Sequence, residues 1–514
     1  MVLALAVSVP TLLDALRDLC PASDFALLEL STDQAAHWSQ LLGPYSRFGW
    51  RHPGPAYFYL LAPPYGLSGR HSASLPVGAL LLNAGVMLAM ATVLRRQPRG
   101  WPMLLVAGPL VLAYSAYLGP GFLYNIWNPA VTVLPLALFL ILCAATACGQ
   151  LGALAPMAAL GSFLVQTHIG YLPCVLAALA TCLLGLRAGG HGQRLRAVSA
   201  RIGLATLVLV ALWAPPVYEE LTRTPGNLTL IARFFAGSGG GVGLGAAIAV
   251  VSREVVWWYS HILFGPLAMF EGYPPLGGAR LVLAETLALV HAGLLALLAA
   301  RPSAAPFTRA LARVCLAGML VSVPAVMRIT TEVRPYMIIW ISGIGAVGLL
   351  PILSALLAYL LRGVAADAHR ERRLARIATL LLALSLATPV ALAPFPARGQ
   401  SQFPAAREMS DAIVERLRRR GARRAQVKIT PGESEPGDVF FGAAAILLQL
   451  HKSGIAFAVE RDWWNFFGDR WLPTGDEDAL IDFYLERPGR ARPPLICRPS
   501  GDHRLCVRVS DLTD

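Results

Sequence analysis

The stretch Ser23–Leu61, SDFALLELSTDQAAHWSQLLGPYSRFGWRHPGPAYFYLL, governs how the whole chain is read. It carries three acids (Asp24, Glu29 and Asp33), Arg47, Arg51, two histidines and many aromatic rings. A hydrophobic N-terminus precedes it and a long series of apolar runs follows it. A polar insert in such surroundings needs a reason, and the rest of the sequence supplies the frame for one.

The chain has 514 residues, 56% hydrophobic and 14% charged, with a mean hydropathy of +0.57. An ordinary soluble domain carries about 25% charged residues. Repeated apolar runs of about 20 residues identify a polytopic α-helical membrane protein. The net charge of +13 would suit a nucleic-acid partner. Its distribution argues otherwise, because the arginines cluster in short loops between apolar runs, as the positive-inside rule requires. Nucleic acid is therefore not expected as a partner; membrane lipids are. Lys428 and Lys452 are the only lysines, a bias that fits the base composition of a bacterial genome.

Met1–Leu13 is apolar without a basic n-region or a small-residue cleavage site, so it reads as a first span running outward toward Leu19 rather than a removable signal peptide. Further spans are expected near Leu75–Leu94, Trp101–Leu118, Ala130–Ala147, Leu151–Val165, Tyr171–Leu186 and Ile202–Pro215. They resume near Leu281–Ala299, Leu311–Val326, Met337–Leu361 and Ile377–Leu392. The count is about eleven. Val217–Arg280 reads as an outer loop with amphipathic or re-entrant helices. Its glycine-rich run, Gly237–Gly245, lacks the Lys-Ser/Thr of a phosphate-binding loop. The alternation places the arginine-rich loops Arg95–Arg99, Arg187–Arg201, Arg301–Arg313 and Arg362–Arg376 on the cytoplasmic side. Ser23–Leu61, GFLYNIWNP (121–129), QTHIG (166–170), Val217–Arg280, RITTEVRPY (328–336) and the C-terminal tail then share the opposite face of a bacterial inner membrane.

After Pro394 the composition becomes that of a soluble domain, which divides the chain into a membrane domain (1–394) and an extracytoplasmic α/β domain (395–514). Met409, Ile413, Val414 and Leu417 mark one face of a helix over Ala405–Arg420. Gln426–Ile429 and Ile455–Val459 read as extended, Phe440–Leu450 as helical and Leu495–Val509 as a hairpin. Cys497 and Cys506 bracket a turn-like Pro-Ser-Gly-Asp; they form a disulfide if the tail lies outside the cytosol, or remain two thiols. Trp463, Trp464, Phe466 and Phe467 either pack on the core or membrane surface, or form a platform on which a sugar stacks.

Within the opening stretch, Ser23 suits an N-cap and Asp24 the first turn of a helix. On that helix Glu29 and Asp33 share a different face from Asp24. Asp24 is thus either a helix-start residue or a lone carboxylate able to act as a general base toward a hydroxyl, with Glu29 the second choice. Pro53 and Pro55 fix an extended turn after Arg51 and His52, where a phosphate or a sugar hydroxyl could bind; Arg51 could equally anchor the interface. Tyr57, Phe58 and Tyr59 suit the headgroup level, and Tyr57 is a candidate for substrate binding. Tyr124, Asn125, Trp127 and Asn128 combine amides with stacking rings, which suits a sugar or, more plainly, a turn in an aromatic belt.

An acid just after the first span, followed some 30 residues later by a Pro-x-Pro-like turn and Tyr-Phe-Tyr-Leu, resembles the GT-C superfamily of membrane glycosyltransferases, about as in the protein O-mannosyltransferases and lipid A aminoarabinose transferases. Asp24 matches the acid that opens their first outer loop. His52-Pro53-Gly54-Pro55 matches their Lys-Pro-Pro segment with His for Lys. Thr167-His168-Ile169-Gly170 stands in the place of their Thr-Lys-Gly-Pro. Phe25 replaces the second acid that often follows the first, which weakens a metal or carboxylate-pair role; no cofactor is expected, with a divalent metal left open. The resemblance implies a polyprenyl-phosphate-linked sugar as donor and a hydroxyl on a glycan, lipid or protein as acceptor. Negative charge on the departing lipid phosphate then needs fixed cations, for which Arg51, His52, His168, Arg328 and Arg334 are the candidates. Arg328 and Arg334 could instead snorkel to lipid headgroups, and His168 could be a buried hydrogen-bonded residue. The rival readings are a transporter or flippase of lipid-linked saccharides, which would need charges inside the spans and an internal repeat, and a scaffold with an outer binding domain.

Overall fold

The computed structural model describes residues 19–511 except 99, 120, 189–198, 238, 270, 362–372, 375, 382–401, 431–435, 487–494 and 501–502. The expected first span, and the expected last span beyond residue 381, lie outside the described residues.

Two short helices open the described chain, α1 (Asp24–Ala36) and α2 (Ala56–Leu67). The membrane-crossing candidates begin with α3 (Ser74–Arg95), α4 (Trp101–Leu118) and α5 (Asn128–Ala147). The shorter α6 (Leu154–Thr167) is followed by α7 (Leu172–Ala188) and α8 (Ser199–Thr222). Next come α9 (Asn227–Gly237), α10 (Leu244–Val255) and α11 (Trp257–Phe264), then α12 (Ala279–Ala300), α13 (Pro306–Met327) and α14 (Pro335–Leu360). Among the described residues, eight helices are long and apolar enough to cross a membrane. All-helical construction satisfies every backbone polar group within its own segment, which hydrocarbon demands. α5 is nearly enclosed by its neighbours and packs against α3, α6, α7, α13 and α14; α8 lies at the periphery.

The expected boundary at Pro215 is too early. α8 continues through Pro215 and Pro216 to Thr222. The extension has a purpose in the packing. The Glu219 carboxylate accepts the Asn227 N–H (3.0 Å), and Glu220 accepts those of Leu228 (2.7 Å) and Thr229 (3.2 Å), so two acids at the end of α8 satisfy the free N–H groups that open α9.

The C-terminal unit comprises α15 (Ala406–Arg420), β1 (Arg424–Ile429), α16 (Pro436–Lys452), β2 (Ala456–Val459), β3 (Ala479–Leu485), β4 (Ile496–Ser500) and β5 (His503–Ser510). Its five-stranded sheet runs β2-β1-β3-β5-β4; β1 pairs parallel with β2 and β3, and β5 antiparallel with β3 and β4. Met409, Ile413, Val414 and Leu417 are buried as their spacing predicts. β3, ALIDFYL, is the strand that periodicity does not reveal. It is buried almost throughout, so it lacks alternation. Its buried Asp482 is held by Thr430 (2.9 Å) and Arg508 (3.0 Å). Cys497 and Cys506 face each other in the β4–β5 register and are joined by a disulfide.

Two apolar cores organise the molecule. One fills the helical bundle. The other belongs to the sheet unit, yet it includes Ala22, Ala26, Leu27 and Leu30. The helix that begins at Asp24 therefore buries one face in the C-terminal unit.

Candidate active site

Between the bundle and the sheet unit lies a cavity of about 690 Å³. Its walls come from the opening stretch, GFLYNIWNP, QTHIG, α9, the α13–α14 loop and the sheet unit. The segments expected to share one face do converge on one space.

Asp24 lines this cavity at the first turn of α1. Ser23 does not cap the helix, contrary to expectation. Its backbone is left-handed in φ (50°), an unusual conformation for a residue with a Cβ, and its side chain makes no capping bond. The cause is a tie to the sheet unit: the Ser23 N–H donates to the Phe441 carbonyl (3.1 Å). The Asp24 carboxylate receives the indole N–H of Trp127 (2.8 Å), the hydroxyl of Tyr45 and, more weakly, that of Ser23 (3.4 Å). Burial raises its proton affinity above the ordinary carboxylate range, and these three donors pull it only part of the way back. Burial and the neighbouring carboxylate hold Tyr45 protonated, so it stays a donor.

The two histidines are both present. His52 and His168 line the cavity with rings 4.8 Å apart. The His52 Nδ1 accepts the Ile169 N–H (3.1 Å), which leaves the proton of the neutral ring on Nε2. Burial, then the neighbouring His168 and Arg51, push His52 well below the usual histidine range; burial alone takes His168 to about 4. These shifts favour the neutral rings, in which state they would serve as hydrogen-bonding groups rather than cations. His168 Nδ1 and the indole N–H of Trp50, on two cavity-lining residues, are buried without a protein partner.

Of the expected arginines, Arg328 and Arg334 line the cavity. Arg328 donates to the Phe235 carbonyl, and Arg334 lies 3.4 Å from Glu332. Gly241 makes room for this edge: a Cβ there would fall 1.8 Å from the Met327 carbonyl, so only glycine lets the loop before α10 pass so close to the end of α13. Arg51 is elsewhere. Its guanidinium is buried beneath the opening stretch, on the Gly43 carbonyl (3.1 Å) and the Ser31 hydroxyl (3.4 Å), and burial lowers its pKa to about 10. Asn227, itself buried, clasps its backbone from both sides at 2.8 Å. Arg47 takes its place in the cavity, 6.0 Å from the Tyr336 ring.

Three further expectations are corrected. Glu29 does not reach the cavity; it is fully buried against Lys452, with Tyr65 and Ser72 donating to it at 3.1 Å. Tyr57 donates to the Ile126 carbonyl (2.7 Å) inside the bundle. Asn125 accepts the Trp127 N–H (2.9 Å) and so forms the turn. Asn128 and Trp127 from the same loop do line the cavity. Tyr45, Arg47 and Tyr336 are among the lining residues that sequence reasoning passes over. Only proximity to Asp24 marks Tyr45; Arg47 and Tyr336 belong to no motif. The sheet unit adds Phe440, Phe441, Trp463 and Phe466, while Trp464 donates to Asp469 (2.7 Å) and Phe467 joins the core.

The architecture is that of a polytopic helical membrane protein whose C-terminal α/β unit closes one side of a cavity with both polar and apolar walls, the layout that the GT-C resemblance leads one to expect. Two solved structures share it along nearly the whole chain: ArnT from Cupriavidus metallidurans bound to undecaprenyl phosphate, and ArnT from the same organism in the apo state. Each superposes with a TM-score of 0.55 at 13% identity, covering 98% of this chain and 97% of ArnT. The likeness is one of fold. No protein-family model and no curated protein sequence matches the chain.

Proposed function

We propose that this chain is an integral-membrane glycosyltransferase that moves a sugar from a polyprenyl-phosphate donor to a hydroxyl acceptor on the extracytoplasmic side. The observation that carries the proposal is a half-buried carboxylate, Asp24, the one carboxylate among the described residues that line a cavity whose other charged lining residues are arginines. Undecaprenyl phosphate bound to a protein of the same fold supports the choice of donor.

The chemistry follows from the groups in place. The acceptor hydroxyl loses its proton to Asp24 as its oxygen attacks the anomeric carbon. The bond from that carbon to the lipid phosphate oxygen breaks, and the electron pair leaves with the phosphate. Arg47, Arg328 and Arg334 can hold the growing negative charge, with His52 and His168 as neutral hydrogen-bonding partners. Burial makes Asp24 a stronger base than a free carboxylate, while Trp127 and Tyr45 fix its direction. The apolar lining from Leu172, Pro173, Ala325, Val326 and Ile338 suits an isoprenoid chain. Asp24 is the one carboxylate among the described lining residues, a poor donor set for a divalent cation. The donor sugar is a hexose or pentose; the acceptor is a glycan, lipid or protein hydroxyl.

The test is reconstitution in liposomes with a panel of labelled undecaprenyl-phosphate hexoses and pentoses, following release of the lipid phosphate. Release by wild type and its loss in Asp24→Asn are expected. Release by Asp24→Asn at the wild-type rate would remove Asp24 as the base, and no release from any donor would remove the activity.

A further inference from the structure

The cavity has two chemically different sides, and Asp24 stands where they meet. On the bundle side, its partner Trp127 packs on Tyr336 (5.1 Å between rings), which neighbours Arg47; Arg328 and Arg334 complete the cationic half. On the other side, its partner Tyr45 packs on Phe466 (4.7 Å). Phe466 continues into Phe440 (4.9 Å) and Trp463 (5.4 Å), and the Phe440 and Trp463 rings lie parallel within 4°. Among the described lining residues, the sheet unit contributes four aromatic rings and no charge. Next to Asp24, the opening stretch lines the cavity with the hydroxyls of Tyr45, Ser23 and Ser46, and the Tyr45 ring touches the wall.

We propose that the aromatic wall of the sheet unit is the acceptor subsite and that it takes the ring of an uncharged saccharide. The assignment rests on the glycosyltransferase reading and extends it to the acceptor. A phosphate or carboxylate on the acceptor would find no counter-charge among the described lining residues of the sheet unit, whereas the donor phosphate finds three arginines across the cavity. A pyranose ring has an apolar C–H face that lies flat on an indole or phenyl ring, with hydroxyls around its rim for Tyr45 and the two serines. A ring held there places one hydroxyl toward Asp24, across from the donor. The step is then balanced: the acceptor hydroxyl proton passes to Asp24, the acceptor oxygen bonds to the anomeric carbon, and the lipid phosphate departs toward the arginines.

The experiment has two arms. In liposomes holding the full chain and a labelled undecaprenyl-phosphate sugar, methyl glycosides, their 6-phosphates and straight-chain alcohols are compared as acceptors. Methyl glycosides are expected to be the best of the three. Trp463→Ala is expected to raise the glycoside concentration at half-maximal rate by about tenfold, and Trp463→Phe by less, as loss and partial retention of one aromatic contact imply. Phe466→Leu, a milder change, should move it in the same direction. An unchanged half-saturation in both Trp463→Ala and Phe466→Leu overturns the assignment, as does a phosphorylated sugar or an alcohol outperforming the glycoside. The second arm needs no turnover. Saturation-transfer NMR of methyl glycosides on the purified protein should give a signal on wild type that falls in Trp463→Ala and in Phe466→Leu. Equal signals, or none on wild type, overturn the subsite. A wild type that binds glycosides but consumes no donor would sink the glycosyltransferase reading while leaving the saccharide site standing.

Discussion

At the scale of single residues, the site turns on how one carboxylate is kept both basic and ionised. Asp24 loses hydration to burial and receives three donors in exchange. Replacing it with asparagine keeps the shape and removes the base, so turnover should fall by about 10²- to 10⁴-fold with donor binding retained. Tyr45→Phe is more informative. Its hydroxyl stabilises the carboxylate, so removing it must raise the pKa of Asp24 further. The acid limb of the pH–rate profile should therefore move to higher pH, by about one unit for a hydrogen bond to a charged group. A limb that stays put, or moves to lower pH, would show that Tyr45 does not act on the base. Sequence reading reached Asp24, His52, His168, Trp127, Asn128, Arg328 and Arg334 because each stands in a short polar segment between spans. It points to Arg51, whereas the cavity holds Arg47, four positions away. That difference is set by an isolated pairing of Tyr45 with Arg51, and by Asn227, which holds the Arg51 backbone from 176 residues away. Neither leaves a local mark.

At the scale of elements, α1 and α16 form one device. Ser23 bonds to Phe441 toward one end of the pair, and Asp33 to His451 (2.8 Å) and Glu29 to Lys452 toward the other. Arg70 also approaches Asp33 (3.4 Å). Burial raises the proton affinity of Asp33, but the hydrogen bond and charge of His451, with Arg70 and His37, outweigh it and bring the net value below the ordinary range. Glu29 is fully buried, so Lys452→Met would strand a carboxylate in the interior. The expected loss of stability is about 3 kcal/mol. The double variant Glu29→Gln with Lys452→Met should recover much of it, since no unpaired charge then remains. Thermal unfolding of the purified protein reads both. A double variant less stable than Lys452→Met alone would exclude a buried ion pair as the tie. The sequence did place Glu29 and Asp33 on a face apart from Asp24, by helical spacing alone. What that face would meet was invisible, because the partner helix lies in the last quarter of the chain.

At the scale of the molecule, hydropathy fixed most of the bundle, since lipid admits few alternatives to the helix. Seven of the expected spans match long helices closely in position, while Leu151–Val165 became the shorter α6. Orientation is a prediction still to be measured. Trp38→Cys, at an exposed position beside the cavity face, should react with an impermeant maleimide on intact cells. Ser303→Cys, between α12 and α13, should react only after permeabilisation. Labelling of both from the same side would break the topology. The shared second core makes a further claim. Cys20 is buried, with its N–H on Gln402 (2.8 Å) and its carbonyl taking the Phe403 N–H (2.9 Å). A chain cut after residue 394 should expose this thiol to maleimide, and a Cys20 that stays unreactive in it would mean that α1 is covered by something other than the sheet unit. The tie between Ser23 and Phe441 also sets a time. A ribosome releases residue 23 long before residue 441, so every long helix of the bundle is made while the carboxylate beside Ser23 lacks the neighbour that fixes its backbone. The segment that holds the first residue of the site is thus made after the long helices, and a nascent chain held in the insertion machinery carries its reactive group unassembled until residue 441 has been added.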